Sequence, residues 1–478
     1  MIPLTRRSTI AFVKQLSPRY LPFADAATAD LPLGRLLRLS LFQVSVGMVT
    51  ALMVGTLNRV MIVELGVAAW LVALMVALPL VSAPFRALIG FRSDVHRSVL
   101  GWKRVPYIFT GTMMLFGGLA IMPFALILLT AQNSMQLWIG NAAAAAAFLL
   151  AGVGIQTTQT AGLALATDLA SEQTRPRVVA LMYVMLLAGI VVSSIVFGLL
   201  LQNFSYTRLI QVVQGSAVCA LLFNAIALWK QEPRRSANND PQRTSGSFRA
   251  AWIRFQKSAN AVRFLAAVGI GTAAFNMQDI ILEPYGGEIL GLSIGSTTIL
   301  TALMAAGALS AFALAAVLLK RGSDPYRLAA IGVLIGVAAF SAVVFAEPLQ
   351  SAMLFMTGTV LIGFGGGLFS VATLTAAMGL EANGLNGLAL GAWGAAQATC
   401  GGLAIFLGGG IRDLVSNLAI SGAFGTALAN PATGYSVVYH IEIYLMFATL
   451  IALGPLVGAR KKSNSASNSK LGLAELPG

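Results

Sequence analysis

The 478-residue chain is 57% hydrophobic and only 10% charged, with a mean hydropathy of +0.81. That composition excludes a soluble globular protein and defines a polytopic membrane protein. The net charge of +14 would suit nucleic acid if the bases formed a patch; they are instead sorted by loop, so no nucleic-acid partner is expected and the charge is a topology signal with some attraction to anionic membrane lipid.

In chain order, residues 1–35 read as a cytoplasmic or interfacial arm. Its bases Arg6, Arg7, Lys14 and Arg19 flank no long apolar core, so no cleavable signal peptide is expected. Apolar runs long enough to span follow at 36–58, 68–90, 105–130, 137–167, 178–201, 209–229, 262–282, 294–319, 326–346, 351–378, 386–410 and 437–458, each near the roughly 20 residues a bilayer needs. With the N-terminus inside, 28 of the 31 Lys and Arg fall on cytoplasmic segments and helix ends, and Arg59, Arg208 and Arg412 fall on the other side. Both termini are therefore expected in the cytoplasm. The predicted fold is all-α, with twelve transmembrane helices in two pseudo-symmetric six-helix bundles, 36–229 and 262–458. Residues 230–261 form a polar, basic linker and 459–478 a cytoplasmic tail.

The halves look like copies. Glu64-Leu65-Gly66 before the second helix matches Glu288-Ile289-Leu290 before the eighth, and Asp168 and Glu172 fall near the place taken by Glu381. The fourth helix carries a polar run, Gln156, Thr157, Thr158, Gln159 and Thr160, read either as the lining of a central pathway or as hydrogen-bonding glue between helices. Glycine-rich tenth and eleventh helices suggest close backbone packing, with a flat groove for a planar ligand as the alternative. Cys219 and Cys400 fall inside spans and suggest neither a disulfide nor a metal site.

No phosphate loop, paired metal ligands or Ser/His/acid set is present, and His96 and His440 are the only histidines, so neither catalysis nor a metal centre is expected. Ionisable groups at membrane depth are the better clue. Asp279, with Asn276 and Gln278 before it, shares a helical face with Glu283 at i and i+4. The pair either binds a proton or takes part in an outer gate, or it caps backbone at the interface. Glu442 and the nearby His440 would lie about a turn into the twelfth helix, where either could ligate a chlorin magnesium or stay unliganded. Asp94, Asp168, Glu172, Arg175, Arg177 and Glu381 sit at cytoplasmic helix ends and suit salt bridges between bundles; Asp324 lies in the loop after the eighth helix.

The loop GFRSDVHRSVLGWKRVPY, Gly90 to Tyr107, holds Gly90 and Asp94, then Gly101, Lys103 and Arg104, an arrangement that can lock helix bundles together. It resembles, with a longer spacer, the loop between the second and third helices of the major facilitator superfamily. The wording RSDVHRSVLGWKRVPYI, with LEPYGGEILGLSIGSTTILTAL from Leu282 to Leu303, resembles the PucC family of photosynthetic bacteria, and the segment LPFADAATADLPLGRLLRLSLFQVSVGM its LhaA branch. The resemblance implies an assembly factor for the light-harvesting antenna, the core antenna around the reaction centre in particular, located in the intracytoplasmic photosynthetic membrane. It also implies bacteriochlorophyll as bound cargo, with carotenoid as a further pigment, and antenna polypeptides, the reaction centre and bacteriochlorophyll synthase as partners. A proton- or ion-coupled solute transporter and a pigment-free assembly scaffold stay open.

Overall fold

The computed structural model describes residues 31–81, 102, 104–129, 134–171, 174–232, 261–378 and 386–457. The N-terminal arm to residue 30, Gly90, Asp94, Gly101, Lys103, Glu172, Glu381, most of the linker and the C-terminal tail lie outside the described residues, as does the side chain of Arg175. Among the described residues the regular structure is entirely helical. The helices are α1 (Leu33–Glu64), α2 (Ala69–Val81), α3 (Val105–Leu129), α4 (Ser134–Leu169), α5 (Arg175–Leu200) and α6 (Tyr206–Leu228), then α7 (Ala261–Glu288), α8 (Ile294–Lys320), α9 (Pro325–Ala346), α10 (Ala352–Met378), α11 (Asn386–Ile420) and α12 (Ala432–Leu453). Eleven of them are long and apolar enough to cross a membrane, and α2 is an apolar helix whose described part has 13 residues.

Several boundaries differ from the hydropathy reading. Helix α1 runs on to Glu64 and α11 to Ile420, so Arg59 and Arg412, expected in loops, lie inside spans. Each arginine is tolerated there because it has a carboxylate partner, Glu64 for Arg59 and Glu288 for Arg412. Helix α12 begins at Ala432, which moves Glu442 from about the first turn to the third. Helix α7 does not end near Asp279. It breaks into a 3₁₀ turn at Met277–Ile280 and resumes as α-helix over Leu282–Glu288. In α1, Ala51–Leu57 and Val60–Glu64 are π-helical.

The packing repeats with a shift of six helices. In the first half α3 packs on α4 and α6, α1 on α5, and α2 on α4; in the second half α9 packs on α10 and α12, α7 on α11, and α8 on α10. Contacts between halves run through α2 with α11 and α5 with α8, which exchange under the same shift. Close approach at equivalent crossings rests on glycine. A Cβ on Gly154 would lie 2.6 Å from the Gly111 carbonyl oxygen between α4 and α3, and one on Gly332 would lie 2.7 Å from the Gly365 carbonyl oxygen between α9 and α10.

The turns repeat as well. Gly66 after α1 and Gly291 after α7 both have φ of 64°. Beside them Val67 N donates to Met61 O at 2.8 Å and Leu292 N to Gly286 O at 2.9 Å, each reaching back six positions, one more than the usual left-handed helix cap. The end of the molecule holding these turns is called distal here; the described chain begins and ends at the opposite, proximal end.

Candidate functional site

Two groups of polar side chains link the halves in the distal part of the bundle. The deeper lies around the break in α7, which packs against α1, α2, α11 and α12. A run of regular helix offers only its side chains, but an interrupted one also frees backbone groups for neighbours. Asn58, on the irregular part of α1, uses them: its Nδ2 donates to the carbonyls of Asp279 at 3.3 Å and Ile280 at 3.5 Å, and to Glu283 Oε2 at 3.4 Å. Glu283 Oε1 accepts from Thr301 Oγ1 of α8 at 2.6 Å. Asp279 Oδ1 accepts from Gln278 Nε2 at 2.6 Å. Thr56 of α1 and Thr298 of α8 share a hydroxyl contact of 3.5 Å one turn further along.

Glu442 completes this junction from α12. It is fully buried, and neither of its carboxylate oxygens has a hydrogen-bond partner of good geometry among the described residues; the Gln278 backbone N–H and Asp279 lie close enough to act on it electrostatically. The Gln278 Oε1 and Asn58 Oδ1 atoms are also buried without partners. The junction is thus rich in acceptors that lack donors, while no Lys or Arg is bonded to Glu283, Asp279 or Glu442 among the described residues. Such groups are costly in a membrane interior and mark functional positions.

The second group closes the distal end. Arg412 of α11 bonds Glu288 at the end of α7, Asp413 Oδ1 at 2.9 Å and Tyr435 Oη at 2.8 Å, with its guanidinium 4.5 Å from the Tyr435 ring centre. Tyr435 Oη donates to Glu288 Oε2 at 2.6 Å. Asp413 then reaches the other half, where its Oδ2 accepts the backbone N–H of Trp70 at the start of α2, at 2.8 Å. Arg59, paired with Glu64, crosses in the opposite sense and donates to Leu292 O at 3.4 Å. A pocket of about 270 Å³ opens between these arms, lined by Gly66, Trp70, Glu288, Arg412, Asp413 and Asn417.

The structure brings together Asp279, Glu283 and Glu442 from the expected residues, with Asn276 on the α11 side, where a Cβ on Gly401 would meet its Nδ2 at 3.1 Å. It does not bring His440 to them. Two residues along a helix is about 200° of rotation, so His440 is exposed on the outer face of α12 while Glu442 points inward. Gln156 and Gln159 lie half-buried on α4, away from the break; Thr157 Oγ1 returns to its own helix at Val153 O, 2.8 Å.

At the proximal end Arg104 Nε binds Asp168 Oδ2 at 3.0 Å. Both belong to the first half, so this pair ties α3 to α4 within one bundle, where Asp168 was expected to bridge the bundles; Asp94, Glu172 and Glu381, expected in the same bridges, lie outside the described residues. Asp324 caps α9 through the Tyr326 N–H at 3.0 Å, and Arg177 sits half-buried in the first turn of α5. Sequence reasoning missed Asn58, Thr301 and the Arg412–Glu288–Tyr435 set. The signal available was a polar residue beside an intramembrane arginine, which hydropathy treats as a helix end.

Twelve helices among the described residues, with a six-helix repeat, discontinuities in α1 and α7 and a polar junction between halves, define a facilitator-type multi-pass membrane protein. The chain belongs to the PucC family: the family profile described as "PUCC protein" matches residues 56–461. It is 53% identical over 97% of its length to an uncharacterized protein of the puhA-bchM intergenic region of Rhodobacter capsulatus, covering 98% of that protein. It is 53% identical to protein PucC of Rhodovulum sulfidophilum over 84% of this chain and 90% of that one. A further relative, 28% identical over 89% of this chain and 96% of its own length, is the bacteriochlorophyll synthase 44.5 kDa chain of R. capsulatus. Among solved structures, a bacterial homologue of the lysosomal transporter Spinster, inward-facing, superposes with a TM-score of 0.67 at 14% identity, covering 88% of this chain and 95% of that chain. A variant of the nucleoside transporter NupG also gives 0.67, at 12% identity, covering 88% and 100%. These likenesses establish the fold alone.

Proposed function

We propose that the protein is an assembly factor of the photosynthetic antenna that binds bacteriochlorophyll and passes it to newly inserted antenna polypeptides, those of the core antenna first. Membership of the PucC family along nearly the whole chain carries this reading and supports a role in the antenna pathway. The relative named as a bacteriochlorophyll synthase chain supports pigment as the cargo and pigment synthesis as the neighbouring step. The distal seal is compatible with it: a cargo that stays within one membrane needs no opening at that end. The intracytoplasmic photosynthetic membrane is the proposed location, with the sealed end facing away from the cytoplasm.

The test is transfer. Protein loaded with bacteriochlorophyll in mild detergent is mixed with pigment-free antenna polypeptides, and the near-infrared band is followed. Delivery predicts loss of the monomeric pigment band and growth of the red-shifted antenna band faster than from free pigment. Equal rates with and without the protein would overturn delivery.

A second reading has one observation in its favour. The buried carboxylates Glu283 and Glu442, beside a broken helix in a facilitator fold, are the kind of groups that couple solute movement to ions. It predicts solute uptake into vesicles that Glu442→Gln abolishes.

A further inference from the structure

The outer face of α12 carries two polar groups where a lipid-facing helix should have none. His440, Tyr444, Phe447 and Ile451 follow one another at i, i+4, i+7 and i+11 and are all exposed, Tyr444 at 68% and Ile451 at 74%. They form one stripe along roughly 16 Å of helix at 1.5 Å per residue. Tyr444 falls at the midpoint of the span Ala432–Leu456. Tyrosine belongs at membrane interfaces, where its hydroxyl meets water, yet the Tyr444 hydroxyl has no hydrogen-bond partner among the described residues at mid-span.

His440 is more specific. Its Nδ1 lies 2.7 Å from the Ser436 carbonyl oxygen. A carbonyl only accepts, so Nδ1 carries the proton and Nε2 is left with a bare lone pair, unbonded and facing outward. A histidine that donates one ring nitrogen to a backbone carbonyl and presents the other is the arrangement found at metal centres, because the carbonyl fixes the tautomer and raises the basicity of the free nitrogen. Hydrocarbon offers nothing to that lone pair, and a lone metal ion would find no further ligands on this apolar face. A planar metal complex that brings its own equatorial ligands needs one axial nitrogen and an apolar strip beside it.

We infer that this stripe is a binding site for a magnesium tetrapyrrole, with His440 Nε2 as axial ligand, Tyr444 Oη as donor to a carbonyl on the ring edge, and Phe447 and Ile451 against the alkyl tail. The inference rests on the proposed pigment function and places the cargo on the lipid-facing surface of α12, not at the buried junction. Such a position suits handover to another transmembrane helix, since the pigment is reached sideways without opening the bundle.

The experiment uses the full chain made in a non-photosynthetic host and titrated with bacteriochlorophyll a in detergent, read by the near-infrared band and by resonance Raman markers of magnesium coordination. His440→Leu is expected to weaken binding about tenfold or more, the scale on which ligand-shell changes act. His440→Gly with added imidazole is expected to recover both affinity and the imidazole-ligated signature, and Tyr444→Phe to shift the carbonyl stretch with coordination retained. Because His440 is exposed and bonded only within its own helix, the variants should remain monodisperse with unchanged melting temperatures, which is checked alongside.

If the natural protein binds pigment and His440→Leu binds it equally with the same coordination, this inference falls while the pigment function stands. If affinity instead follows Glu442→Gln, the site lies inside the bundle and the inference is again overturned. If the natural protein binds no pigment, both readings fall together.

Discussion

Arg412 shows how one residue can hold an end of the molecule. Its guanidinium meets Glu288 of α7, Tyr435 of α12 and its neighbour Asp413, and Asp413 in turn accepts the Trp70 amide of the other half. Arg412→Ala removes a forked donor that only arginine supplies and leaves Glu288 with the tyrosine hydroxyl alone. We expect a loss of about 1–3 kcal/mol from the charge-assisted hydrogen bonds, seen as a lower melting temperature in detergent, together with faster labelling of a cysteine introduced at Asn417 in the distal pocket. Arg412→Lys should fall between. Unchanged labelling in Arg412→Ala would mean that the distal closure does not depend on this set. At this scale sequence was a partial guide. It marked Asp279, Glu283 and Glu442 as ionisable groups at membrane depth, which the structure gathers. It also grouped His440 with Glu442 by proximity in the chain, although their positions on a helix separate them. Thr301 carried no signal above other polar residues in spans, and Asn58 was marked only by the arginine beside it.

Among the elements, α1 and α7 are the irregular ones, and they occupy equivalent places under the six-helix shift. The π-turns of α1 were not legible, since Ala51–Leu57 has the composition of an ordinary span. The break in α7 had a local signal that went unread: Pro284 lacks the N–H that would close on Ile280 O and crowds that carbonyl, which Asn58 then takes up. Glycine was legible, and close packing proved to be its use at the α9–α10 crossing. Gly332→Val should cost about 1–3 kcal/mol by overpacking against the Gly365 carbonyl and reduce the yield of monodisperse protein. Gly410→Ala, where a Cβ meets nothing within 4 Å, should stay within about 0.5 kcal/mol of the original. Equal stability of the two variants would show that the α9–α10 contact is looser than described.

The whole molecule joins a transporter fold to a family named for something else. Composition and spacing alone led to a twelve-helix membrane protein with a repeat, and the relation between Glu64 and Glu288 seen in the sequence recurs as two helix ends, each paired with an arginine and each followed by a left-handed glycine. Cargo was not legible from residues at all; it entered through the wording of two loops and helices that resemble the PucC family. Contacts at Asn58, Arg59, Trp70 and Asp413 tie the halves at the distal end, which suits the proposed delivery within one membrane because that needs no opening there.

The central claim, that this chain itself carries pigment, is tested most directly by purifying it in mild detergent from pigmented cells and from a strain unable to make antenna polypeptides, then extracting and quantifying bacteriochlorophyll. The account predicts stoichiometric pigment in both preparations. Pigment only where antenna polypeptides copurify, or in neither preparation, would contradict it.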